Sequence, residues 1–236
     1  RDRIARVLES LDGDLLRRHD CWFGGGTAIA LRLGEFRESV DIDFLVSDQV
    51  GYRALRQQLR GARDLCVLSR SSHAPIALEG EARIDQYGIR AFALVEGGAI
   101  KLEIVNEGRI RFDAPSRRDV VCGLASLSFS DLASSKLLAN ADRWADESVF
   151  ARDAIDLAML DLPPRQLAPA LDKAIAAYGG TVTTDMQAAL QRLRDRDGWL
   201  QRCMAALSIR LPPAVLQQKL RHLARRLERI GSDKGG

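Results

Sequence analysis

The pattern of apolar residues changes near Leu124 of this 236-residue chain. Up to that point, short apolar or alternating segments are separated by glycine-containing turns, which is typical of strands. Beyond it, apolar residues recur at helical spacing over residues 130–143, 148–161, 165–178, 185–206 and 213–230. The change predicts an α+β protein in which an N-terminal mixed-sheet domain, residues 1–124, is followed by an all-α C-terminal domain, residues 125–236.

The N-terminal part combines helices with strands. Residues 2–18 predict an amphipathic helix, residues 21–23 a short strand and residues 49–63 another helix. Residues 27–33 predict a brief apolar helix with Thr27 as its N-cap. Further strands are predicted at residues 65–69, 82–86, 90–95 and 99–105. Glycines between the later strands predict that these strands pair antiparallel.

Two aspartates interrupt the strand predicted at residues 40–46, VDIDFLV. Asp41 and Asp43 lie on one face of this strand, and its apolar residues alternate onto the other. Aspartate is depleted in strands, so this placement favours a functional role over a merely solvated face. Mg²⁺ is commonly held by one or two carboxylates together with substrate phosphates. We therefore predict that Asp41 and Asp43 bind Mg²⁺.

Three consecutive glycines, Gly24, Gly25 and Gly26, lie between a predicted strand and a predicted helix. Glycine lets the backbone approach a ligand closely, and a helix N-terminus offers unpaired N–H groups to phosphate. By itself, such a run is more often just a tight structural turn. Its position before the two aspartates favours a phosphate-binding turn.

A third carboxylate is often needed to complete a two-metal phosphoryl-transfer site. In AIKLEIV, Glu103 shares a strand face with Lys101 and would lie beside the aspartates if the strands pair in the right register. Asp85 is the competing candidate. A surface Lys–Glu pair is an equally good explanation of Glu103, so the sequence leaves the third ligand open.

The distribution of basic residues bears on the binding partner. The net charge is only +3, but residues 217–236 contain six Lys or Arg against two acidic residues, a net of +4. Apolar residues at helical spacing make this segment a basic amphipathic helix; they are Leu216, Leu220, Leu223, Leu227 and Ile230. Such a helix is suited to phosphate contacts with RNA, although solvated arginines are the commoner explanation.

Cysteine and hydropathy patterns exclude other classes of protein. The four cysteines are far apart and form no CxxC pair, which argues against a zinc site or a disulfide framework. No stretch approaches the roughly 18 apolar residues of a membrane span, and no secretory signal pattern opens the chain. We therefore expect no membrane association and a cytoplasmic location.

The segment FGGGTAIALRLGEFRESVDIDFLV resembles the first motif of the polymerase-β-like nucleotidyltransferase superfamily, in the form seen in the AbiEii/AbiGii toxin family. The similar features are the glycine turn with Thr27, the pair Arg37 and Ser39, and the triplet Asp41-Ile42-Asp43. DLASSK at residues 131–136 and RDAID at residues 152–156 resemble the helical motifs of that family, in the same order. The resemblance spans residues 20–160.

The resemblance implies transfer of a nucleoside monophosphate from an NTP to an acceptor hydroxyl, with pyrophosphate released. It implies a toxin of a bacterial toxin–antitoxin or phage-defence system, which acts on RNA such as a tRNA 3′ end and has an antitoxin protein as a possible partner. Nucleotidylation of a small molecule such as an aminoglycoside, and a non-catalytic nucleotide-binding module, remain alternatives.

The resemblance also implies roles for individual residues. Lys136 would bind the triphosphate, and Asp153 would belong to the active site, contacting the acceptor or orienting Lys136, whereas Asp156 would be structural. The implied catalytic set is Asp41, Asp43, Lys136 and Asp153. The implied nucleotide-binding set is Gly24, Gly25, Gly26, Thr27, Arg37 and Ser39.

Overall fold

A computed structural model describes residues 2–61 and 64–233. The chain divides into two compact units. The first comprises Arg1–Ala28 and Val40–Ser128, and the second comprises Ile29–Ser39 and Phe129–Gly236. The first unit contains a mixed sheet and the second is helical, so the predicted α+β class is confirmed.

The first unit begins with two helices, α1 (Asp2–Ser10) and α2 (Gly13–Arg18), where the sequence predicts one. The break lies at Asp12, whose carboxylate accepts hydrogen bonds from the backbone N–H groups of Asp14 and Leu15, each at 3.0 Å. This is the geometry of an N-cap, which starts a new helix. Leu11, just before the cap, is fully buried.

The sheet of this unit has the strand order β1-β2-β5-β4-β3. Its strands are β1 (Cys21–Gly24), β2 (Ile42–Val46), β3 (Arg83–Ile84), β4 (Gly88–Val95) and β5 (Gly98–Asn106). Strand β2 runs parallel to β5, and the other neighbours pair antiparallel. Helix α4 (Gln49–Gln58) follows β2, and a small hairpin consists of β6 (Val120–Val121) and β7 (Leu124–Ala125). The antiparallel pairing predicted for the later strands is confirmed.

One face of the sheet forms much of the core of this unit. Ile42, Phe44 and Val46 of β2 are buried, as are Ile100, Leu102 and Ile104 of β5. The intervening residues Asp43, Lys101 and Glu103 are only partly buried on the opposite face. The alternation predicted from VDIDFLV and AIKLEIV is therefore present. Strand β2 nevertheless begins at Ile42, and Val40 is 59% exposed outside it.

Two predictions of local structure in this unit are wrong. Residues 65–69 do not form a strand, because Cys66–Leu68 is a 3-10 helix whose start is stabilised by the Asp64 carboxylate. Thr27 is not an N-cap, because α3 (Gly25–Arg32) already begins at Gly25. Glycine at Gly25 has a φ of +68°, which lets the chain turn into the helix two residues earlier than predicted.

The second unit is a set of helices. They are α5 (Phe129–Arg143), α6 (Arg152–Leu160), α7 (Pro164–Tyr178), α8 (Thr181–Asp195), α9 (Trp199–Ala206) and α10 (Pro213–Asp233), with a 3-10 helix at Glu147–Val149. The helix predicted over residues 185–206 is two helices, because Gly198 has a φ of +66°. The apolar stripe predicted for α10 is confirmed, since all five of its residues are buried.

The division into units differs from the predicted domains in two respects, the first being that the boundary lies after Ser128 and not after residue 124. Second, residues 29–39 belong with the helical unit rather than with the sheet. Phe36 is buried at 4% exposure, and its carbonyl oxygen accepts a hydrogen bond from the Arg210 N–H at 2.8 Å. The Glu38 N–H donates to the Leu207 carbonyl oxygen. These bonds join segments about 170 residues apart in sequence, which no local pattern predicts.

Candidate active site

The glycine turn and the first carboxylate strand meet directly in the sheet. Strands β1 and β2 pair so that Gly24 lies opposite Asp43. A Cβ atom built on Gly25 would lie 2.2 Å from Oδ2 of Asp43, closer than any side chain can approach. The Asp43 carboxylate is therefore packed against the first residue of α3, and the sequence requires glycine there for two reasons, its positive φ and this contact.

Thr27 contacts the backbone of the other aspartate, Asp41. Its side chain is 1% exposed, and its hydroxyl donates a hydrogen bond to the backbone carbonyl oxygen of Asp41. The contact ties the first turns of α3 to the residue that precedes β2. Thr27, predicted to bind nucleotide, is thus in a position to fix the backbone of Asp41.

Glu103 lies beside Asp43 on the same face of the sheet. The parallel pairing of β2 with β5 places Asp43 and Glu103 in register. This is the register that Glu103 needed in order to lie beside an aspartate of β2. The Glu103 carboxylate accepts hydrogen bonds from Arg90 Nε at 2.5 Å and from Lys101 Nζ. Partial burial acts to raise the pKa of Glu103, but these two cations outweigh it and the pKa is lowered. Glu103 is therefore an anion already balanced by two side chains.

Asp85 has a different role in the structure. Its carboxylate accepts hydrogen bonds from the backbone N–H groups of Tyr87 and Gly88, at 2.7 and 3.0 Å, and so shapes the turn between β3 and β4. Strands β5 and β4 separate β3 from β2 in the sheet. Of the two candidates for a third carboxylate, Glu103 is the one adjacent to Asp43.

The donor set determines which metal these residues suit. Asp41 and Asp43 supply two hard carboxylates, which match Mg²⁺ because that ion completes its shell with substrate phosphates and waters. Over residues 2–61 and 64–233, no group of three or more His, Cys, Asp or Glu side chains is arranged to hold a metal ion. The hard oxygen donors of Asp41 and Asp43 therefore suit a Mg²⁺ ion that also binds substrate phosphate.

The helical unit contains a buried chain of charged side chains. Arg37 binds Asp156 with two hydrogen bonds, of 2.7 and 2.9 Å. Lys136 Nζ lies 2.7 Å from Asp156 Oδ2 and 2.9 Å from Asp153 Oδ1. Arg143 completes the chain through two hydrogen bonds to Asp153, of 2.7 and 3.0 Å. We call these five residues the Lys136 network; its formal net charge is +1.

Most of the Lys136 network is shielded from water. The side chains of Arg37, Lys136, Asp153 and Asp156 are each exposed by 7% or less, and only Arg143 is partly accessible. Burial acts to lower the pKa of Lys136, but Asp153 and Asp156 outweigh it and the pKa is raised. Burial likewise acts to raise the pKa of Asp153, and Lys136 and Arg143 reverse the effect. Lys136 and Asp153 are therefore both charged at neutral pH.

The structure qualifies the sequence expectations for this unit. Lys136 is held by two carboxylates, and one of them is Asp153, as the orienting role would require. Arg37, predicted to bind nucleotide, is a buried partner of Asp156. Ser39 lies in the loop that ends residues 29–39 and is partly exposed. The role of Ser39 stays a prediction.

Sequence reasoning missed Arg143. It lies seven residues after Lys136 on α5, two helical turns along the same face, and this spacing is the signal that could have identified it. Its pairing with Asp153 depends on how α5 packs against α6, which the local sequence does not reveal.

The predicted site residues thus fall into two groups. The first unit brings together the glycine turn, Asp43 and Glu103, and Thr27 contacts the backbone of Asp41. The second brings together Arg37, Lys136, Asp153 and Asp156. Within the described parts of the chain, no helix combines the length and apolar character needed to cross a membrane.

Comparison with known proteins gives a family match over nearly the whole chain. The family model described as "Nucleotidyl transferase AbiEii toxin, Type IV TA system" matches residues 6–226. The crystal structure of JHP933 from Helicobacter pylori is similar, with a TM-score of 0.52 at 16% sequence identity over 98% of this chain and 90% of that chain. A second H. pylori structure gives a TM-score of 0.40 at 15% identity, over 98% and 93%. None of the curated proteins matches the chain.

Proposed function

This chain belongs to the AbiEii family of nucleotidyltransferase toxins of type IV toxin–antitoxin systems, and from this premise we propose that it transfers a nucleoside monophosphate from an NTP to an acceptor hydroxyl. Pyrophosphate is the leaving group. The observation that carries the proposal is the packing of the Asp43 carboxylate against Gly25 at the start of α3. The contact supports the proposal because Asp43, the proposed metal ligand, lies next to the first turn of a helix, whose N–H groups are suited to phosphate.

The first unit supplies the carboxylates and the phosphate-binding backbone. Asp41 and Asp43 are the proposed Mg²⁺ ligands, and Thr27 fixes the backbone of Asp41. Mg²⁺, when bound with the NTP, neutralises phosphate charge and helps to align the acceptor oxygen. The N–H groups of Gly25 and Gly26 cradle phosphate oxygens in this proposal. Catalysis then comes mainly from positioning and from charge stabilisation.

Glu103 has a supporting role in this proposal. It adds a negative charge beside Asp43, while Arg90 and Lys101 hold its carboxylate in one orientation. Each oxygen of the Glu103 carboxylate accepts one of these hydrogen bonds and keeps a further lone pair that could bind a cation. We therefore propose Asp41 and Asp43 as the principal ligands and Glu103 as the third.

The helical unit supplies a fixed positive charge. Asp153 and Asp156 keep Lys136 protonated and hold its ammonium group in one place. The Lys136 network has one more cation than carboxylates, so it attracts an anion. We propose that Lys136 interacts with the triphosphate and that Asp153 orients it. Arg37 is then a structural partner of Asp156, and no direct nucleotide contact is assigned to it.

The acceptor proposed here is RNA, with a tRNA 3′ end as the leading example. A nucleotidyltransferase toxin of this family acts in a toxin–antitoxin system, so an antitoxin protein is a proposed partner. NTPs and tRNA are both available in the cytoplasm, which is the compartment we propose. Transfer to a small hydroxyl compound such as an aminoglycoside is the competing proposal for the acceptor.

The test is label transfer from each of the four α-labelled NTPs in the presence of Mg²⁺ and total tRNA. We expect labelled RNA with the wild type and a loss of about a hundredfold or more with Asp43→Asn, since that change removes a charged ligand without altering side-chain size. Asp197→Asn, at an exposed residue of the helical unit, is the matched control and should retain activity. Undiminished transfer by Asp43→Asn would refute the assignment.

A parallel reaction with an aminoglycoside distinguishes the two acceptors. Label on the small molecule, with none on RNA, would replace the RNA proposal with the competing one. Chelation of divalent cations by EDTA should abolish transfer in either case, because both acceptors require the same metal chemistry.

A further inference from the structure

A cavity of about 760 Å³ opens at the end of the sheet in the first unit. Its walls are contributed by α4, by the turn between β3 and β4, and by the residues around the end of β5. The residues that matter for its chemistry are Tyr52, Arg53, Arg56, Tyr87, Arg90 and Arg109. We call this cavity the arginine pocket. None of these residues was singled out by the sequence motifs.

The arginine pocket has a strong excess of positive charge. Its lining contains four arginines and one acid, Glu107. Glu107 is 2% exposed and is bound by Arg109 at 2.5 Å, so it faces little of the open space. Arg90 is shared between Glu103 and Asp85. The pocket is therefore suited to an anion.

Arg53 and Arg56 are the cations available to a ligand. Among the described residues, neither guanidinium pairs with a carboxylate; the electrostatic neighbour of Arg56 is the phenol of Tyr52. Arg60, two residues beyond the end of α4, lines a smaller hollow of about 260 Å³ together with Arg53 and Arg56. Arg53 and Arg56 are three residues apart and lie on one face of α4, and Arg60 borders the same hollow, so the three arginines form a ridge. A ridge of this kind can follow several phosphates of an extended chain.

The pocket lies on the same sheet face as the proposed metal ligands. Asp43 of β2 is in register with Glu103 of β5, and Glu103 is in register with Arg90 of β4. Neighbouring strands lie about 4.8 Å apart, so the backbones at Asp43 and Arg90 are separated by about 10 Å across the face. That distance is comparable to one or two nucleotides of an extended strand.

Tyr87 adds a surface for an unpaired base. It is 67% exposed, and its backbone is fixed by the hydrogen bond from its N–H to Asp85. Exposed aromatic rings beside a basic groove are typical of single-strand recognition, because every base can stack on them. A free inorganic phosphate or an isolated triphosphate would make no use of this ring.

The basic helix α10 is a weaker candidate for the same role. Lys219 and Arg226 both pair with Asp161, at 3.2 and 2.5 Å. Two of the cations that the sequence analysis considered for RNA binding are thus already engaged. Arg221 and Arg225 line a separate groove with an apolar floor between α8 and α10.

We propose that the arginine pocket binds the phosphates of a single-stranded RNA acceptor, with Arg53 and Arg56 as the main contacts and Tyr87 stacking on a base. The inference rests on the proposed function and deepens it, since it names the surface that would guide the acceptor toward Asp43. Arg53 and Arg56 are binding residues here and take no part in the chemistry.

The binding test uses a fluorescein-labelled 12-nucleotide single-stranded RNA and fluorescence anisotropy, without NTP or Mg²⁺. For the double variant Arg53→Gln with Arg56→Gln, we expect affinity to fall about tenfold at low salt. Each phosphate contact on a single strand contributes about 0.7 to the salt slope, so the slope should fall by about 1.4. The charge-retaining variant Arg53→Lys with Arg56→Lys should keep the wild-type slope.

Two further variants separate the pocket from other basic surfaces. The matched control, Arg221→Gln with Arg225→Gln on α10, should leave affinity and slope unchanged. Tyr87→Ala should weaken RNA binding while keeping the slope, because stacking releases no counterions. Equal weakening by the α10 control, or no weakening by the Arg53 and Arg56 variant, would overturn the proposal. Polyglutamate that bound as tightly as the RNA, and that lost affinity in the Arg53 and Arg56 variant, would also overturn the proposal. That result would indicate that the pocket binds an acidic protein.

The result of the RNA-binding test is independent of the result of the label-transfer test. Absence of RNA binding by the wild type overturns the pocket inference, whereas label transfer measured separately decides the reaction. Variant-sensitive RNA binding without label transfer to any acceptor would support the pocket and refute the proposed reaction. Thermal unfolding of each variant checks that these exposed substitutions leave the fold intact.

Discussion

At Gly25, a single residue meets two requirements that no other amino acid satisfies together. Its φ of +68° lies in the left-handed region, and the space where a Cβ would lie is occupied by the Asp43 carboxylate. A side chain here would have to displace the carboxylate or the start of α3. Backbone conformation and proposed chemistry are therefore linked at this position.

The first prediction concerns Gly25→Ala, with Gly97→Ala as its control. Gly97 has a φ of +74° but nothing within 4 Å of the Cβ position, so alanine there introduces only backbone strain, about 1–2 kcal/mol. Gly25→Ala should cost more and should also abolish label transfer, because the Asp43 carboxylate must move. Urea unfolding and label transfer measure the two effects. Full activity of Gly25→Ala would show that the space beside Gly25 is not needed to position the Asp43 carboxylate.

The Lys136 network allows a buried set of ion pairs to be compared with an exposed set in the same unit. Asp153 is 2% exposed and neutralises two cations, Lys136 and Arg143. Asp161 has the same kinds of partner, Lys219 and Arg226, but its side chain is 38% exposed. The same chemistry thus occurs once in a buried setting and once near the surface.

The second prediction compares Asp153→Asn with Asp161→Asn. Removing one partner of a buried pair leaves uncompensated charge and should cost about 3–5 kcal/mol of unfolding free energy. The exposed pairs of Asp161 should contribute only about 0–1 kcal/mol. Denaturant unfolding at neutral pH gives both values. Equal losses of unfolding free energy in the two variants would show that burial does not determine how much these ion pairs contribute to stability.

The same pair of proteins gives a pH dependence. The pKa of Asp153 is lowered from its ordinary 3.8, so its stabilisation is complete above that pH and declines as the pH falls below it. The difference in unfolding free energy between the wild type and Asp153→Asn should therefore be constant near neutrality and should narrow below about pH 4. A gap at pH 2–3 that is as wide as the gap at neutral pH would contradict this origin.

At the scale of elements, helix boundaries in this chain are decided by single residues. The amphipathic pattern runs through residues 2–18 without a break, yet α1 ends at Ser10 and α2 begins at Gly13. The Asp12 carboxylate offers the backbone a cap in place of continued helix. Gly198 has the corresponding effect between α8 and α9.

A cap of this kind has a measurable contribution. Asp12→Ala should lower the unfolding free energy by about 1 kcal/mol, because two backbone N–H groups lose their acceptor. Glu9→Ala, on the exposed face of α1, is the control and should be neutral, since alanine is the better helix former. Urea unfolding of both variants tests the cap. If Asp12→Ala had the same unfolding free energy as the wild type, packing alone would set the end of α1 and the start of α2.

Strand pairing is the other decisive feature at this scale. Alternation in the sequence assigned Asp43 and Glu103 to open faces of their own strands, but it did not say that the strands are neighbours. The parallel register of β2 and β5 makes them adjacent and places Arg90 in the same row. A shift of one residue would have sent Glu103 into the core.

On the scale of the whole molecule, the two compact units do not follow the order of the chain. Residues 29–39 leave the sheet unit and belong with the helices that begin at Phe129. The pair Arg37–Asp156 spans 119 residues, and burial of Phe36 accompanies it. Segments this far apart are joined because burying an apolar ring and satisfying an enclosed charge outweigh the cost of closing the loop.

Charge is also organised on this scale. The chain has a net charge of only +3, yet the arginine pocket and the neighbouring hollow bring five arginines together in the sheet unit: Arg53, Arg56, Arg60, Arg90 and Arg109. The C-terminal segment, more basic by sequence count, has two of its cations bound by Asp161. Net charge along a sequence therefore misleads when ion pairs form between distant elements.

The sequence by itself determined the local features of the proposed site: a carboxylate on a strand face with a second one just before the strand, a glycine turn before a helix, and a helical C-terminal half. These follow from the periods of strands and helices and from the residues that can adopt a positive φ, all of which are local properties. Family resemblance added the class of reaction, and the family match confirmed membership.

Only the tertiary structure decided which of these features meet. The register that places Glu103 beside Asp43, the two carboxylates that hold Lys136, and the arginines gathered around the pocket all come from distant segments. The physical reason is that pairing and packing energies depend on neighbours in space, and a local pattern specifies a face without specifying what covers it.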